Sequence, residues 1–209
     1  MTAKLRWSGT LQGVQPRIDL GRSFDQRYHS YLGYLLLVDG QVGEERGTFT
    51  VRVGPAAQAK HGFRAGDRVS GFAHVVVDRN AEAAHFYKAS ALEVVERPSP
   101  GPSAPPPWIG IPPVLGVYRE RGHRRLDART YEASCRTCQW GCRMAVTMVI
   151  DQWNPAVVER RFETFCYGPK SCALYRAGPR RKVPGRKGMS YTEEDWVDED
   201  STRGRGEDE

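Results

Sequence analysis

Residues 135–142 have the sequence C-R-T-C-Q-W-G-C, and residues 166–172 have the sequence C-Y-G-P-K-S-C. These two stretches contain all five cysteines of the 209-residue chain. A C-x2-C spacing lets two neighbouring cysteines face one ion, and zinc takes four such thiolates in a tetrahedron. The pattern therefore predicts a metal site that draws four ligands from these five residues: Cys135, Cys138, Cys142, Cys166 and Cys172.

The metal and the choice of ligands stay open at this point. The conventional ligand set leaves out Cys142, whereas the hairpin register expected below would admit it. Zinc is the predicted ion, and an iron–sulfur cluster is the alternative, because four thiolates hold either one. Disulfides or free thiols are a third reading, which a reducing cytosol disfavours. Since no histidine lies within the cluster, we expect a structural site and not a catalytic one.

The segment between the two cysteine stretches predicts a β-hairpin. Apolar side chains alternate over residues 144–150, which is the period of a strand with one buried face, and residues 160–165 predict a second strand. A hairpin folded about Asn154 would place Cys142 opposite Cys166. The expected unit is a small cysteine-rich β-hairpin module, residues 114–190, stapled by the metal.

The first 97 residues predict a compact β domain. Five strands are expected, over 5–14, 28–38, 48–53, 68–77 and 84–95, with a loop over 16–25 and a short helix over 55–63. Asp39-Gly40 is a hairpin signal at the end of the second strand.

The order of three strands, a short helix and two strands resembles the oligonucleotide/oligosaccharide-binding (OB) fold superfamily. The stretch F-R-A-G-D-R-V-S-G-F at residues 63–72 resembles the entry into the fourth strand of such barrels. The resemblance covers residues 1–97 and rests on element order. It implies a five-stranded Greek-key barrel that binds ligands across its strands 2 and 3. The fold class is therefore predicted as mainly β: an OB-like barrel followed by the metal-stapled hairpin module.

On such a barrel, four residues are candidates to bind nucleic acid: Tyr31, Tyr34, Phe49 and Arg52. Bases stack on aromatic rings inside a positive groove, and cations contact the phosphates. The competing interpretation is that aromatic residues in strands belong to the core.

Residues 98–113 are predicted to form a linker, because six prolines fall within residues 98–107 and disfavour both helix and sheet. Beyond the cysteines, residues 170–189 carry basic side chains and no acidic one. This predicts an irregular basic arm that follows a phosphate backbone. Its candidate binding residues are Lys170, Arg176, Arg180, Arg181, Lys182, Arg186 and Lys187.

The last segment, residues 191–209, is strongly acidic and is predicted to be disordered. An acidic segment beside a basic arm can also fold over that arm and compete with nucleic acid. Trp196 is unusual for a purely solubilising tail and suggests an anchor on a basic surface.

Net charge, motifs and apolar segments limit the classes of function that the sequence favours. The formal net charge is +6, which favours an anionic partner. No phosphate-binding loop, dinucleotide fingerprint or hydrolase motif is present, so an enzyme is the less favoured class. No apolar run is long enough to span a bilayer, and the start lacks the apolar core of a signal peptide. We therefore expect a cytoplasmic protein without a membrane partner.

The predicted function is non-catalytic binding of RNA or single-stranded DNA. Two alternatives stay open: a protein-interaction module that docks on a ribosomal or polymerase complex, and an iron–sulfur redox or sensing protein.

Overall fold

The computed structural model describes residues 4–99 and 104–206, and its architecture is mainly β, as predicted. The strands are β1 Lys4–Arg22, β2 Arg27–Val42, β3 Glu45–Val53, β4 Arg68–Val75, β5 Phe86–Glu96, β6 Arg124–Arg125, β7 Gly141–Val149, β8 Val158–Cys166, β9 Lys182–Pro184 and β10 Ser190–Thr192. The helices are α1 Pro55–His61, α2 Leu115–Arg121, α3 Ala128–Thr130 and α4 Trp196–Ser201, with a π-helical turn at Tyr131–Cys135 and a 3-10 turn at Arg186–Gly188.

Five strands of the N-terminal part close into a ring in the order β1–β2–β3–β5–β4–β1. Neighbouring strands are antiparallel except β3 and β5, which pair in parallel at Val51 and Phe86. Helix α1 lies between β3 and β4 along the chain, so the predicted order of three strands, a helix and two strands is present. Inward side chains fill the ring, among them Trp7, Leu11, Leu36, Val51, Phe63 and Val69.

Strands β1 and β2 extend well beyond their predicted ends. Strand β1 continues through the expected loop to Arg22, because it keeps pairing with β2 as far as Arg27. Strand β2 runs through Asp39-Gly40 and turns at Gly43, whose φ of 59° is a left-handed conformation that glycine adopts easily.

The end of β1 connects the ring to the cysteine-rich part. Residues Asp19 to Arg22 pair in parallel with Ala145 to Met148 of β7, and β7 is followed by β8 and β6 in one eight-stranded sheet. The boundaries at residues 97 and 113 stay predictions. What the structure adds is that the two predicted domains share a sheet.

The register of the β7–β8 hairpin differs by one residue from the expected one. Cys142 lies opposite Phe165, and Gly141 lies opposite Cys166. The loop has an even number of residues, 150–157, closed by a 3.2 Å bond from Ile150 N–H to the Val157 carbonyl. The expectation that Cys142 faces Cys166 was therefore wrong, since a hairpin centred on a single residue needs an odd loop.

The segment predicted to be disordered contains helix α4 and packs on the cysteine-rich part. Arg125 binds the carboxylates of Asp195 and Asp198 at 2.6 and 2.9 Å. Trp196 is 63% exposed, so the anchor is provided by carboxylates and not by the indole. In the part of the chain that the structure describes, no helix is both long enough and apolar enough to cross a membrane.

Two histidines meet where β2 approaches the residues that precede β6. The ring centroids of His29 and His123 are 4.6 Å apart, and His123 also packs edge-on against Phe165. Burial lowers the pKa of both imidazoles, to about 4 for His29, and the charges of Arg27 and Arg22 lower it further. Both rings are therefore neutral in the folded protein at neutral pH.

Acidification should destabilise the fold through this histidine pair. A buried histidine with a lowered pKa binds more protons in the unfolded state than in the folded state. Its contribution to the free energy of unfolding is therefore complete above about pH 6.5 and is lost as the pH falls. Replacing His123 with Phe keeps a ring against Phe165 and should reduce that loss by on the order of 1 kcal/mol at about pH 5. Urea denaturation of both proteins at neutral and acid pH measures the difference. The same pH dependence in both would contradict the prediction.

Candidate metal centre and basic surfaces

Four of the five cysteines surround one cavity of about 10 Å³. They are Cys135, Cys138, Cys166 and Cys172, and none of them is in a disulfide. The rest of the wall is largely apolar and comes from Pro106, Pro107, Trp108, Leu126, Trp140, Leu174 and Tyr175. The two cysteine stretches of the sequence therefore meet in space.

Tight turns present three of these cysteines. The Cys138 N–H bonds to the Cys135 carbonyl at 3.1 Å, and the Gly141 N–H bonds to the Cys138 carbonyl at 3.0 Å. In the second cysteine stretch, the Cys172 N–H bonds to the Pro169 carbonyl at 3.2 Å. Cys166 ends β8, so a strand end and a series of turns bring the thiols together.

The hairpin register excludes Cys142 from this group. Successive residues of a strand point to opposite faces of the sheet. Cys142 and its partner Phe165 therefore face the main core, whereas Cys166 and Gly141 lie on the other side. Cys142 is fully buried, and its Sγ donates to the Pro16 carbonyl at 3.4 Å.

Gln15 of β1 fixes the first cysteine stretch to the ring. Its buried amide donates to the carbonyls of Cys135 and Cys138 at 2.8 and 2.9 Å and accepts a 2.7 Å bond from the Tyr131 hydroxyl. The backbones approach so closely here that a Cβ on Gly141 would lie 2.5 Å from the Cys135 carbonyl oxygen. The sequence carries no signal that singles out Gln15.

Burial and local donors act in opposite directions on the thiols. Burial raises the pKa of Cys135 to about 12, and negative charge on the neighbouring thiols would raise it further. Burial also raises the pKa of Cys138 and Cys166. Backbone N–H groups of Trp140, Trp108 and Gly141 at Cys138 offset that effect. At Cys166 the Gly168 N–H and the charges of Arg124 and Arg205 do so. The pKa of all three thiols is nevertheless raised, so these donors offset only part of the effect of burial on the thiolates.

The thiols surround the cavity without closing on a single point. Among residues 4–99 and 104–206, no three His, Cys, Asp or Glu side chains are grouped so that they could hold a metal ion as they stand. The predicted ligands therefore share a cavity, and metal coordination stays a prediction.

The predicted barrel residues occupy different environments. Tyr34 and Phe49 are buried in the core, and Tyr34 donates to the Pro113 carbonyl at 2.8 Å. Tyr31 is half-buried, with the Arg119 guanidinium 5.0 Å from its ring. Arg52 is partly exposed and pairs with Glu82 at 2.5 Å. Only Tyr31 and Arg52 of this set present surface to solvent.

The outer face of β1, β4 and β5 carries a cluster that the sequence reading missed, which we call the ring face. Cross-strand pairing aligns Arg6 with Phe72, Lys4 with His74, and His74 with Tyr87. A Lys4 ammonium lies 5.3 Å from the centre of the Phe72 ring.

Two further cations lie over Tyr87, Arg52 at 5.1 Å and Lys88 at 5.6 Å. The ring face thus combines two aromatic rings with exposed positive charge. Its signal in the sequence was the alternation around Phe72, which marks it as the outward position between buried Gly71 and Ala73.

The predicted basic arm is folded and partly neutralised. Arg180 pairs with Glu194 and Asp195, at 2.9 and 2.8 Å. Arg181 is half-buried, pairs with Glu163 at 2.9 Å and lies 4.3 Å from the centre of the Phe165 ring.

The remaining arm residues lie closer to solvent. Lys182, Lys187 and Arg176 are exposed, and Arg176 donates to carbonyls of its own loop. Arg186 lies 5.4 Å from the Phe24 ring, and Lys170 donates to the Arg205 carbonyl at 3.3 Å.

Comparisons with known proteins leave the family open. No protein-family model matches the chain, and no curated protein or solved structure shows a significant match to it.

The Gln15 contact can be tested by one substitution. Gln15→Leu removes one hydrogen bond from each of the Cys135 and Cys138 carbonyls, which keep their backbone turn bonds, and leaves the Tyr131 hydroxyl without its partner. A lost hydrogen bond costs about 0.5–1.5 kcal/mol, and a buried polar group without a partner costs about 1–3 kcal/mol. We expect a loss of about 2–4 kcal/mol of unfolding free energy, measured by urea denaturation. Gln12→Leu makes the same change at an exposed position of the same strand and should leave stability nearly unchanged. Equal effects at the two positions would contradict the role of Gln15.

Proposed function

We propose that this protein binds single-stranded nucleic acid, RNA or DNA, on the ring face, and that its cysteine-rich part is stabilised by one zinc ion. The observation that carries the proposal is the pairing of exposed cations with the rings of Phe72 and Tyr87. Bases stack on such rings while cations contact the phosphates.

The connectivity of the ring supports an OB-type barrel. Its strands close in the order β1–β2–β3–β5–β4–β1, with α1 between β3 and β4. OB barrels are five-stranded Greek-key structures that bind oligonucleotides. The resemblance noted in the sequence and the observed order of strands point to the same superfamily.

The position of the ligand differs from the one expected on strands 2 and 3. Tyr34 and Phe49 belong to the core, so neither ring offers a free face for stacking. The ring face lies on β1, β4 and β5, and Arg52 is the predicted residue that reaches it, through Tyr87. Arg52 is neutralised by Glu82, which also pairs with Arg17. The exposed cations of the ring face are therefore Lys4, Arg6 and Lys88.

The cavity and its donors favour a single zinc ion held by Cys135, Cys138, Cys166 and Cys172. A volume of about 10 Å³ holds about one water-sized sphere, which suits one ion better than an iron–sulfur cluster. Side-chain rotation would bring the sulfurs inward, and the backbone N–H groups at Cys138 and Cys166 would stabilise the thiolates. The ion would have a structural role, because all four positions are taken by protein sulfur.

Zinc content distinguishes the two ligand sets. The wild-type protein should contain one zinc per chain by elemental analysis, and Cys172→Ser should lose most of it. Cys142→Ser should retain the zinc, because Cys142 faces the core and a serine hydroxyl can still donate to the Pro16 carbonyl. Zinc loss in Cys142→Ser with retention in Cys172→Ser would overturn this ligand set. Iron with sulfide would favour the redox alternative.

Nucleic-acid binding is tested on the ring face. Phe72→Ala and Tyr87→Ala should each weaken binding of a single-stranded oligonucleotide by about 5- to 150-fold, since one stacked base contributes about 1–3 kcal/mol. Fluorescence anisotropy measures the dissociation constants. Trp153→Ala is the matched control, because Trp153 is 87% exposed and lies on the β7–β8 loop, outside the ring face. Unchanged affinity in both ring-face variants would reject the proposed surface.

One observation favours protein docking as the second candidate. Among the described residues, Trp153 has the most exposed large apolar side chain, and it borders a cavity of about 470 Å³ that Phe24 and Ile150 also line. Exposed apolar surface of this kind commonly mediates protein contacts. Partners that remain bound after nuclease treatment and are lost in Trp153→Ala would support this candidate.

A further inference from the structure

The chain's own carboxylates cover a surface of arginines on the side of α4. We call residues 193–198 the acid segment and the arginines that it meets the arginine surface. The ion pairs are Glu193 with Arg22 at 3.3 Å and Arg27 at 3.0 Å, Glu194 and Asp195 with Arg180 at 2.9 and 2.8 Å, and Asp195 and Asp198 with Arg125 at 2.6 and 2.9 Å.

Two of these arginines are nearly inaccessible beneath the acid segment. The side chains of Arg125 and Arg22 are 3% and 4% exposed. A guanidinium that is withdrawn from water requires an anionic or hydrogen-bonding partner. If the acid segment moved away, an oxyanion from another molecule could take its place.

Arginine binds carboxylate and phosphate with the same geometry. Its planar N–H donors meet two oxygens of either group in parallel bonds. Arg125 meets two oxygens in this way, donating from Nε to Asp198 at 2.9 Å and from Nη2 to Asp195 at 2.6 Å, while Arg180 donates from both Nε and Nη2 to one oxygen of Asp195, at 3.2 and 2.8 Å. The acid segment therefore satisfies the arginine surface in the way a phosphodiester backbone would.

The ion pairs differ in how easily another anion could replace the carboxylate: those at Arg180 are exposed, and the one between Arg125 and Asp198 is largely buried. At Arg180 both partners are half exposed, and ion pairs in such positions are weak. At Arg125 the Asp198 carboxylate is only 14% exposed and also accepts from the Arg125 backbone N–H at 3.1 Å. Displacement would begin at the Arg180 end, while the Asp198 end holds the segment close.

The chain is fixed again just beyond α4. Arg205 is buried, and its guanidinium donates to the carbonyls of Arg121, Gly122 and Gly168. The Ser201 hydroxyl accepts from the His123 N–H at 3.1 Å. A displaced acid segment stays tethered at high effective concentration, so it is a reversible competitor for the arginine surface.

We propose that the arginine surface is a second site for single-stranded nucleic acid, contacting the phosphate backbone, and that the acid segment is its internal competitor. The inference rests on the proposed nucleic-acid function and adds a site that recognises phosphate without reading bases. Binding there exchanges one set of anions for another.

The experiment compares two variants of equal charge. The test variant, Glu194→Gln with Asp195→Asn, removes both carboxylate partners of Arg180 and one of the two at Arg125. The control variant, Glu199→Gln with Asp200→Asn, removes two charges from α4, where Asp200 pairs with its neighbour Arg203. Each is titrated with a thymidine 12-mer and with an abasic 12-mer, at several salt concentrations.

The test variant should bind both strands about 3- to 10-fold more tightly than the control variant at low salt. Its salt slope should be steeper by about 0.7–1.4, because one or two additional phosphate contacts release counterions. The gain should be the same on the abasic strand, since the arginine surface contacts phosphates. Equal affinity and slope in the two variants would overturn the inference.

Further outcomes separate this inference from the proposed function. If Phe72→Ala weakens thymidine binding while test and control variants bind alike, the ring face stands and the arginine surface fails. If the ring-face variants bind like wild type and the test variant still gains on both strands, the arginine surface stands and the ring face fails. If the test variant has a lower melting temperature and no gain in affinity, the acid segment only stabilises the fold and the inference fails. If none of the proteins binds either strand, both proposals are overturned.

Discussion

Backbone pairing along β1 is the constraint on which the rest of the structure depends. Its N-terminal part pairs with β4, its last four residues pair with β7, and β2 pairs with it from Trp7 to Arg22. Each backbone N–H and C=O of a buried strand needs a partner on one edge or the other. The pairing of β1 with β4 stops at Thr10 of β1, and farther along this edge the cysteine-rich part pairs with β1 from Asp19 to Arg22.

The transition between the two partners of β1 positions the candidate metal centre. Register shifts fall between Leu11 and Gly13 and between Arg17 and Ile18, on either side of Gln15. Gln15 uses its amide on the carbonyls of Cys135 and Cys138, where no strand is available to pair. The first cysteine stretch is therefore held against the ring before any metal binds, and a zinc ion would add the link to the second stretch.

Positive charge in this protein is distributed over two surfaces with different degrees of neutralisation. On the ring face, Lys4, Arg6 and Lys88 are exposed beside aromatic rings. On the arginine surface, Arg22 and Arg125 are covered by carboxylates of the same chain. The formal net charge of +6 includes both. The first surface is suited to bases and phosphates together, and the second to phosphates that can displace carboxylates.

Local patterns in the sequence determined which segments form strands and which cysteines are candidates. Alternation identifies a strand such as β4, and C-x2-C spacing brings Cys135 and Cys138 together, because both signals act over a few neighbouring residues. The acidic character of residues 191–209 was predicted from their composition. Their possible contact with the basic arm was predicted because the two segments are adjacent in the chain.

The tertiary structure alone decided how these segments combine. One residue of register in the β7–β8 hairpin turned Cys142 into the core and Cys166 towards the other thiols. The closure of the five-stranded ring placed Tyr34 and Phe49 inside and left Phe72 outside. The alternation of residues in a strand separates its side chains into two faces, but it does not determine which face other parts of the protein will bury. That choice depends on contacts between residues more than a hundred positions apart, such as Gln15 with Cys135, and no local pattern records them.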